Sequence, residues 1–575
     1  MKKSKKVQRR IIQKLLPVIV AIVLIIIIII FSLSTGLIQK YSYSSEQADL
    51  YDYLGLTSEN EVAMILDNDY SDSKAIIQDG LYYIDYSLVT NLFNSNFYFD
   101  ENENLLLYST GTETIRADES GKDFISYNDS VYISLDYVKK YTNLEYKTYT
   151  DPNRMEIKYQ WGTVNKATVS KDTELRVLGG IKSAVITKIL KGDTVEIIEP
   201  MEDWSEIKTS DGYLGYVENK KLNNYREEQE TPITEVEELS IKSQTKDYKI
   251  CLGWHQVTGE AANETLSDIV ANTKGLNVIS PTWFSLSDNE GNFTSISSMS
   301  YVEQAHGMGL EVWGLVDNFS AEVNSYDVLS YTSKRQNLIS QLINKSVELG
   351  LDGINVDFEN LTTETGTHFA QFIRELSIEC RKQGIVLSVD NYVPKEYTSH
   401  YYRDVQGKFA DYVIIMGYDE HYAGSEESGS VASVDFVREG IEKTIEEVPA
   451  NKVINGIPFY TRVWTETPKT QEDIQAEGDA LSGNLVNVTS EAVGMSAAES
   501  MLEQNGVTAT WDDATAQNYG EFEKDGSIIK VWLEDEASID VKMQLMQKNH
   551  LAGVACWKLG FEKASVWDVI QKYLQ

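Results

Sequence analysis

Cysteine is almost absent. The chain has three in 575 residues, too few for a fold stapled by disulfides. Histidine is nearly as scarce, with six scattered copies. No Cys/His group has zinc spacing, so neither a metal nor a cofactor is expected. Positive charge is outnumbered over most of the chain, with 43 Lys/Arg against 88 Asp/Glu beyond residue 40. Residues 1–40 carry eight Lys/Arg and no acid, whereas all 88 Asp/Glu lie beyond them and the net charge is −37. Such a body repels nucleic acid. Length predicts three or four domains at about 150 residues each. A hydrophobic share of 42% against 24% charged leaves ample core. Thirty-four tyrosines and ten tryptophans exceed what a plain scaffold needs, and aromatic faces of this kind stack on sugar rings or nucleobases.

Long apolar runs are also missing, with one exception. Leu15 to Leu37 is uncharged, almost purely aliphatic from Val18 to Phe31, and preceded by Lys2, Lys3, Lys5, Lys6, Arg9, Arg10 and Lys14. Roughly 20 apolar residues span a bilayer. The basic flank orients the amino terminus toward the cytoplasm and the body outward. The run is long for a signal peptide, and Ser32-Leu-Ser-Thr-Gly36 is a poor cleavage site. The expectation is a cytoplasmic tail (1–14) and an uncleaved transmembrane anchor (15–37), with a cleaved signal as the alternative. The membrane is therefore one expected partner, and the oligomeric state stays open.

Residues 38–75 read as a polar spacer. From 76 to 160 the chain repeats itself. Gly80-Leu-Tyr-Tyr-Ile-Asp-Tyr-Ser-Leu-Val89 is similar to Asp129-Ser-Val-Tyr-Ile-Ser-Leu-Asp-Tyr-Val138, and each precedes a short helical piece, an aromatic strand, a polar turn and another strand. The pattern resembles the stalk module of the copper amine oxidase amino-terminal domain, without a copper ligand set. Residues 165–222 form short alternating strands with Lys-Gly-Asp and Asp-Gly hairpin signals. With Trp204 and the Gly215-Tyr-Val strand they resemble a bacterial Src-homology-3-like barrel, a family whose members often bind cell-wall peptides. Residues 223–247 are acidic and read as a linker.

From Tyr248 the texture alternates strand and helix. Candidate strands are Lys249–Trp254, Val278–Phe284, Glu311–Val316, Gly353–Glu359, Ile385–Asn391, Tyr412–Tyr418, Val453–Tyr460 and Gly553–Leu559. Helical patterns, such as Ser340–Leu349, Thr367–Gln383 and Phe436–Glu447, lie between most of them. Eight strands with helices predict an α/β fold, a (β/α)8 barrel over 248–575. The interval between the last two strands is too long for one crossover and predicts a small α+β insertion over about 465–536.

The most informative string is Leu351-Asp-Gly-Ile-Asn-Val-Asp-Phe-Glu359. Alternate strand residues share a face, so Asn355, Asp357 and Glu359 are expected to point together into the barrel mouth, where such enzymes keep their sites. A polar series in a buried strand is costly unless used. The string resembles the Asp-Gly-x-Asp-x-Asp-x-Glu signature of glycoside hydrolase family 18 at every fixed position but one. Met416-Gly-Tyr-Asp419, Gly456-Ile-Pro-Phe-Tyr460 and Trp557 resemble that family's sixth, seventh and eighth strand ends. The departure is Asn355, which stands where chitinases have an Asp that cycles charge with its neighbour. A similar Asn occurs in the branch of spore cortex-lytic N-acetylglucosaminidases, and Val531-Trp-Leu-Glu-Asp-Glu-Ala-Ser538 also resembles that branch.

The resemblance implies substrate-assisted, retaining hydrolysis, outside the usual two-carboxylate scheme. Glu359 would be the acid, kept protonated by burial and by Asp357. Asp357 would orient the substrate acetamide and Tyr418 would hold its carbonyl. Asn355, Asp419, Met416, Trp557, Tyr460 and Arg462 would contact the substrate. The implied substrate is peptidoglycan or another glycan containing N-acetylglucosamine. The alternatives are a chitin or chitooligosaccharide hydrolase, and a catalytically silent glycan-binding wall protein. Trp254, Trp283, Trp313 and Trp464 line the sugar site or pack the core. His255 and His421 are further loop-proximal candidates. Cys251 and Cys556 fall on neighbouring strands and are expected to be two buried thiols.

Overall fold

Eight segments in the second half of the chain are short, mostly apolar runs buried along nearly their whole length, as strands of a parallel sheet covered on both faces must be. In the computed structural model they form a closed parallel barrel. The strands are Ile250–His255, Val278–Leu286, Glu311–Asp317, Gly353–Asp357, Val386–Tyr392, Tyr412–Met416, Val453–Pro458 and Gly553–Trp557. Each pairs with the next, and the eighth pairs with the first. The structure describes residues 2–36, 40–117, 122–232, 236, 239–477 and 485–574. The end of the apolar run at 37, parts of the acidic linker (233–235, 237, 238) and residues 478–484 of the insertion lie outside them.

Four of the eight strands end sooner than the sequence pattern suggests. The fourth stops at Asp357, the sixth at Met416 and the seventh at Pro458. Glu359, Tyr418 and Tyr460 therefore lie beyond their strand ends. The helices Thr332–Leu349, Gly366–Gln383 and Val434–Glu447 cover the outside; the first and third bury one stripe, and the second is buried all round from Phe369 to Ile378. The insertion starts at Tyr460, earlier than expected. It is a five-stranded antiparallel sheet in the order 486–494, 460–468, 527–533, 517–524, 510–512, with the helix Met495–Gln504 on its own small core.

The chain divides into two compact units, 1–95 with 118–238, and 96–117 with 239–575. The first unit begins with the helix Lys2–Ser34, whose window Leu15–Ser34 has mean hydropathy 3.5 and no buried part. The expected spacer is not a spacer throughout. Glu61–Leu66 and Asp69–Gln78 are strands two and one places from the repeat strand Leu81–Asp85, within a seven-stranded sheet, and Val62 to Ile65 are buried. A second seven-stranded sheet spans 163–229. It includes Leu222–Gln229, so the linker begins later than the acidic composition suggests.

The sequence repeat is present as two strand–helix–hairpin copies, but the copies part company. The second hairpin, Glu145–Tyr149 with Arg154–Lys158, joins the first unit's sheet. The first hairpin, Phe97–Asp100 with Leu105–Ser109, adds Thr114–Arg116 and folds with the barrel unit. Its Asp100 caps a barrel helix. Helix starts leave backbone N–H groups without partners, and Tyr331 gives the helix Thr332–Leu349 no side-chain cap. Asp100 Oδ2 instead accepts from Thr332 N (2.6 Å) and Thr332 Oγ1 (2.5 Å), and Glu103 accepts from Ser333 N (3.0 Å). Behind this cap the fully buried Arg335 donates to Tyr98 Oη (3.1 Å), Leu329 O and both oxygens of Glu375. Buried ion pairs hold only when every partner is satisfied, and Tyr98 supplies one of these. The hairpin is therefore part of the catalytic fold. Asp100→Ala is expected to lower the stability of the barrel unit by about 1–2 kcal/mol, measured as a shifted denaturation midpoint with an unchanged slope.

Candidate active site

Polar side chains climb the inside of the fourth strand in two steps. Asn355 is the lower. It is fully buried, and its amide makes four hydrogen bonds. Oδ1 accepts from Trp254 Nε1 (2.9 Å) and Ser280 Oγ (3.1 Å). Nδ2 donates to Ser388 Oγ (3.0 Å) and Asp390 Oδ1 (2.8 Å). The expectation that Asn355 contacts the substrate therefore fails. All four amide valences are used, and it lies in the barrel floor.

Asp357, two residues on, is the upper step. Its Oδ1 is buried and has no hydrogen-bond partner in the protein. Burial, then Asp390, Glu359 and Asp317, push its carboxyl well above the usual range. Glu359 follows the strand and is half-buried. Asn318, just past the third strand, pins its backbone from both sides: Glu359 N donates to Asn318 Oδ1 (2.9 Å) and Asn318 Nδ2 donates to Glu359 O (2.8 Å). Tyr392 Oη donates to Glu359 Oε2 (2.5 Å). Burial raises the Glu359 carboxyl. Tyr392 opposes that rise, while Asp419 and Asp317 add to it. Asp419 and Asp317 thus join the expected Asp357, whose repulsion with Glu359 is mutual, as the neighbouring carboxylates that act on Glu359.

The other expected residues gather at the same mouth. Tyr418 is buried, and its ring lies edge-on to Trp254 (6.5 Å between centroids) and to Tyr460 (6.3 Å). Trp254 also packs edge-on against the half-buried Trp557 (5.9 Å). Tyr460 Oη donates to Asp419 Oδ1 (2.5 Å), and Asp419 is exposed in the left-handed region (φ +60°). Met416 is buried, level with Tyr392. Arg462 stands on the first strand of the insertion and donates to Ser490 Oγ (3.1 Å). A cleft of about 520 Å³ opens beside Glu359, floored by Asn318, Asn324, Asn360 and Thr362, with the exposed Phe319 on its wall.

Several weaker candidates are core. Trp313 is fully buried, stacks on Tyr412 and bonds Glu311 at the first residue of the third strand, the end away from the mouth. Trp283 bonds Asn263, and Trp464 bonds Gly429 O. His255 is buried between Tyr301 and Thr265, and His421 Nδ1 donates to Ser430 O. Cys251 and Cys556 are buried free thiols.

Three functional positions were not singled out from the sequence: Asp317, Asp390 and Tyr392. The last two had a signal. Ser388, Asp390 and Tyr392 alternate on the fifth strand as Asn355 and Asp357 do on the fourth. Among the described residues, no group of three or more His, Cys, Asp or Glu is arranged to hold a metal ion.

Comparison with known proteins agrees with this barrel. The family model for glycosyl hydrolases family 18 matches residues 212–562, and that for the bacterial SH3 domain matches 171–223. The chain is 25% identical over 311 residues to the uncharacterized glycosylase YvbX of Bacillus subtilis (strain 168), covering 52% of this chain and 84% of that protein. It is 28% identical over 258 residues to the cortical fragment-lytic enzyme of the same organism, covering 43% of this chain and 56% of that enzyme. It therefore spans only about half the length of the latter. In fold it is similar to the C-terminal domain of a chitinase candidate from Desulfitobacterium hafniense DCB-2, with 21% identity, a TM-score of 0.51 and coverage of 57% of this chain and 100% of that domain. With the matched region covering more than half of its length, the chain belongs to glycoside hydrolase family 18 and is a glycoside hydrolase carrying a bacterial SH3 domain.

Proposed function

We propose that this glycoside hydrolase cleaves β-1,4 bonds at N-acetylglucosamine in peptidoglycan, from a membrane anchor on the outer face of a bacterial cell. The observation that carries the chemistry is the unpartnered, buried Oδ1 of Asp357 beside a raised Glu359. A buried acceptor without a donor is costly, and a substrate acetamide N–H meets that need. Asp357 then orients the acetamide so that its carbonyl oxygen attacks the anomeric carbon. Glu359 protonates the leaving oxygen. Asp357 balances the positive charge of the oxazolinium ion, and water opens that ion with net retention. Tyr418 holds the acetamide carbonyl, while Trp557, backed by the buried Trp254, bounds the apolar side of the sugar. Asp419, Tyr460, Met416 and Arg462 complete the wall of the site.

The cell-wall assignment rests on two supports. One is the relative named a cortical fragment-lytic enzyme. The other is the anchor, since the apolar window Leu15–Ser34 follows the basic stretch from Lys2 to Lys14 and fits a single span with the body outside. An anchored enzyme meets its own envelope, whereas a digestive enzyme gains from release. The SH3 domain and the repeat module ahead of the barrel serve as wall-facing spacers in this reading.

The test uses the fragment from residue 40 onward, wild type beside Glu359→Gln, on purified peptidoglycan with reducing-end labelling and mass spectrometry. Fragments ending in reducing N-acetylglucosamine are expected from the wild type. Glu359→Gln is expected to lose at least about 10²–10⁴-fold in rate. Release from chitin oligomers alone would replace the substrate. Binding without any release would replace the enzyme reading with a binding one.

The pH dependence follows from the hydrogen bond to Glu359. The acid must be protonated, so activity falls as pH rises through the Glu359 pKa. Tyr392 donates to the ionised carboxylate and holds that pKa down. Tyr392→Phe is therefore expected to move the alkaline limb of kcat/KM to higher pH by up to about one unit, read from a pH–rate profile.

A further inference from the structure

One buried carboxyl at the mouth has no part in the reaction above. Asp390 stands on the fifth strand, 2% exposed. Asn355 pairs in register with Ser388, and Val356 with Val389. Asp357 and Asp390 are thus the next step up on adjacent parallel strands, which run about 4.8 Å apart with alternate residues on one face. The side chain that tethers Asp390 is Asn355, whose Nδ2 donates to its Oδ1 at 2.8 Å. An Asp at 355 would lose both donated hydrogen bonds and would face Asp390 with a like charge. Asn355 and Asp390 are therefore a matched pair, with the amide on the fourth strand and the carboxyl on the fifth.

Building on the substrate-assisted reading, we infer that Asp390 is the positioning residue for Asp357, the partner with which Asp357 exchanges its proton during the reaction. Two carboxyls this close in a dry interior do not both ionise. Burial raises both carboxyls, and the Asn355 donor on Asp390 favours the resting charge there and the proton on Asp357. When the acetamide becomes cationic, the proton passes to Asp390 and Asp357 carries the negative charge. No proton enters or leaves the pair.

Other groups bear on the same spot. Glu359 acts on both carboxyls and Asp317 acts on Asp357. Tyr418, beyond the sixth strand, senses both Asp357 and Asp390. Ser388 and Tyr392 flank Asp390 on its own strand. Of these, only Asp390 has both the register and the tether to Asn355.

The experiment compares the full chain in detergent as wild type, Asp390→Asn, and the exchange Asn355→Asp with Asp390→Asn. Asp390→Asn keeps the volume and an acceptor oxygen for Asn355, so a merely structural role would be spared. The expected result for Asp390→Asn on labelled peptidoglycan or chitin oligomers is a kcat lowered about tenfold or more with little change in KM. Its acid limb moves up by about one unit, because Asp357 must then give its proton to solvent. The exchange variant restores both. Wild-type kcat and acid limb in Asp390→Asn would overturn the inference, as would an exchange variant no better than the single one.

The infrared band of protonated carboxyls is measured across pH in the same three proteins without substrate. The wild-type minus Asp390→Asn difference is expected to show a proton that persists to higher pH in the wild type, where the second charge is resisted, and that returns in the exchange variant. If the wild type turns over no glycan, the functional reading falls and this band decides Asp390 alone. An identical band in wild type and Asp390→Asn would overturn it.

Discussion

The side-chain amide of Asn355 is the constraint on which the mouth depends. Its four hydrogen bonds reach Trp254 on the first strand, Ser280 on the second, and Ser388 and Asp390 on the fifth, from its own place on the fourth. A buried amide with every valence met costs little, whereas the same amide with one partner removed costs about 1–3 kcal/mol. The network therefore fixes the relative rotation of four strands just beneath the reacting groups. It also carries the aromatic wall, because the indole that donates to Asn355 is the one packed against Tyr418 and Trp557. The floor of the site and its aromatic wall are thus connected, by the Trp254 hydrogen bond and by edge-on ring contacts.

Above that floor the problem is charge. Asp317, Asp357, Asp390 and Glu359 converge from three neighbouring strands, and burial raises all four. Like charges in a low-dielectric interior push one another toward the neutral form. Here that serves function, because an acid must arrive protonated. Among the described residues, no Arg or Lys makes an ion pair with any of these four carboxyls. Arg335 pairs instead with Glu375, and Lys395 with Glu439. Hydrogen bonds from Asn355, Ser285 and Tyr392 stabilise individual carboxylates without cancelling their charge.

Much of this could be read from the chain, and the misses have physical causes. The barrel strands are apolar runs bounded by polar turns, so their existence was legible. Their ends were not, because Phe358 and Phe459 continue the apolar pattern past the point where the ladder stops. The period-two rule found Asp357 but misread Asn355, since a strand pattern gives the face and not the depth. Asp390 went unnoticed because its meaning comes from a partner on another strand. The hairpin around Asp100 is a sharper case. Both repeat copies have the same local pattern, and what separates them is a helix start 232 residues away that lacks a cap of its own. The strand Glu61–Leu66 was legible as five apolar residues after an acid, but the polar stretch on either side hid it.

Glu359 is held by groups that act separately on its place and its proton. Asn318 grips the peptide on both sides of the residue, so the third strand fixes where the carboxyl begins. Tyr392 grips the carboxyl itself, so the fifth strand fixes where it points. The first grip is indifferent to protonation. The second is not, because a phenol O–H prefers the ionised acceptor. Burial, with Asp419 and Asp317 behind it, favours the proton, and Tyr392 alone opposes them. An acid held between such opposed influences gives up its proton without moving its backbone. In the proposed reaction, glycosidic cleavage asks that of it, since the leaving oxygen needs the proton only as the bond breaks.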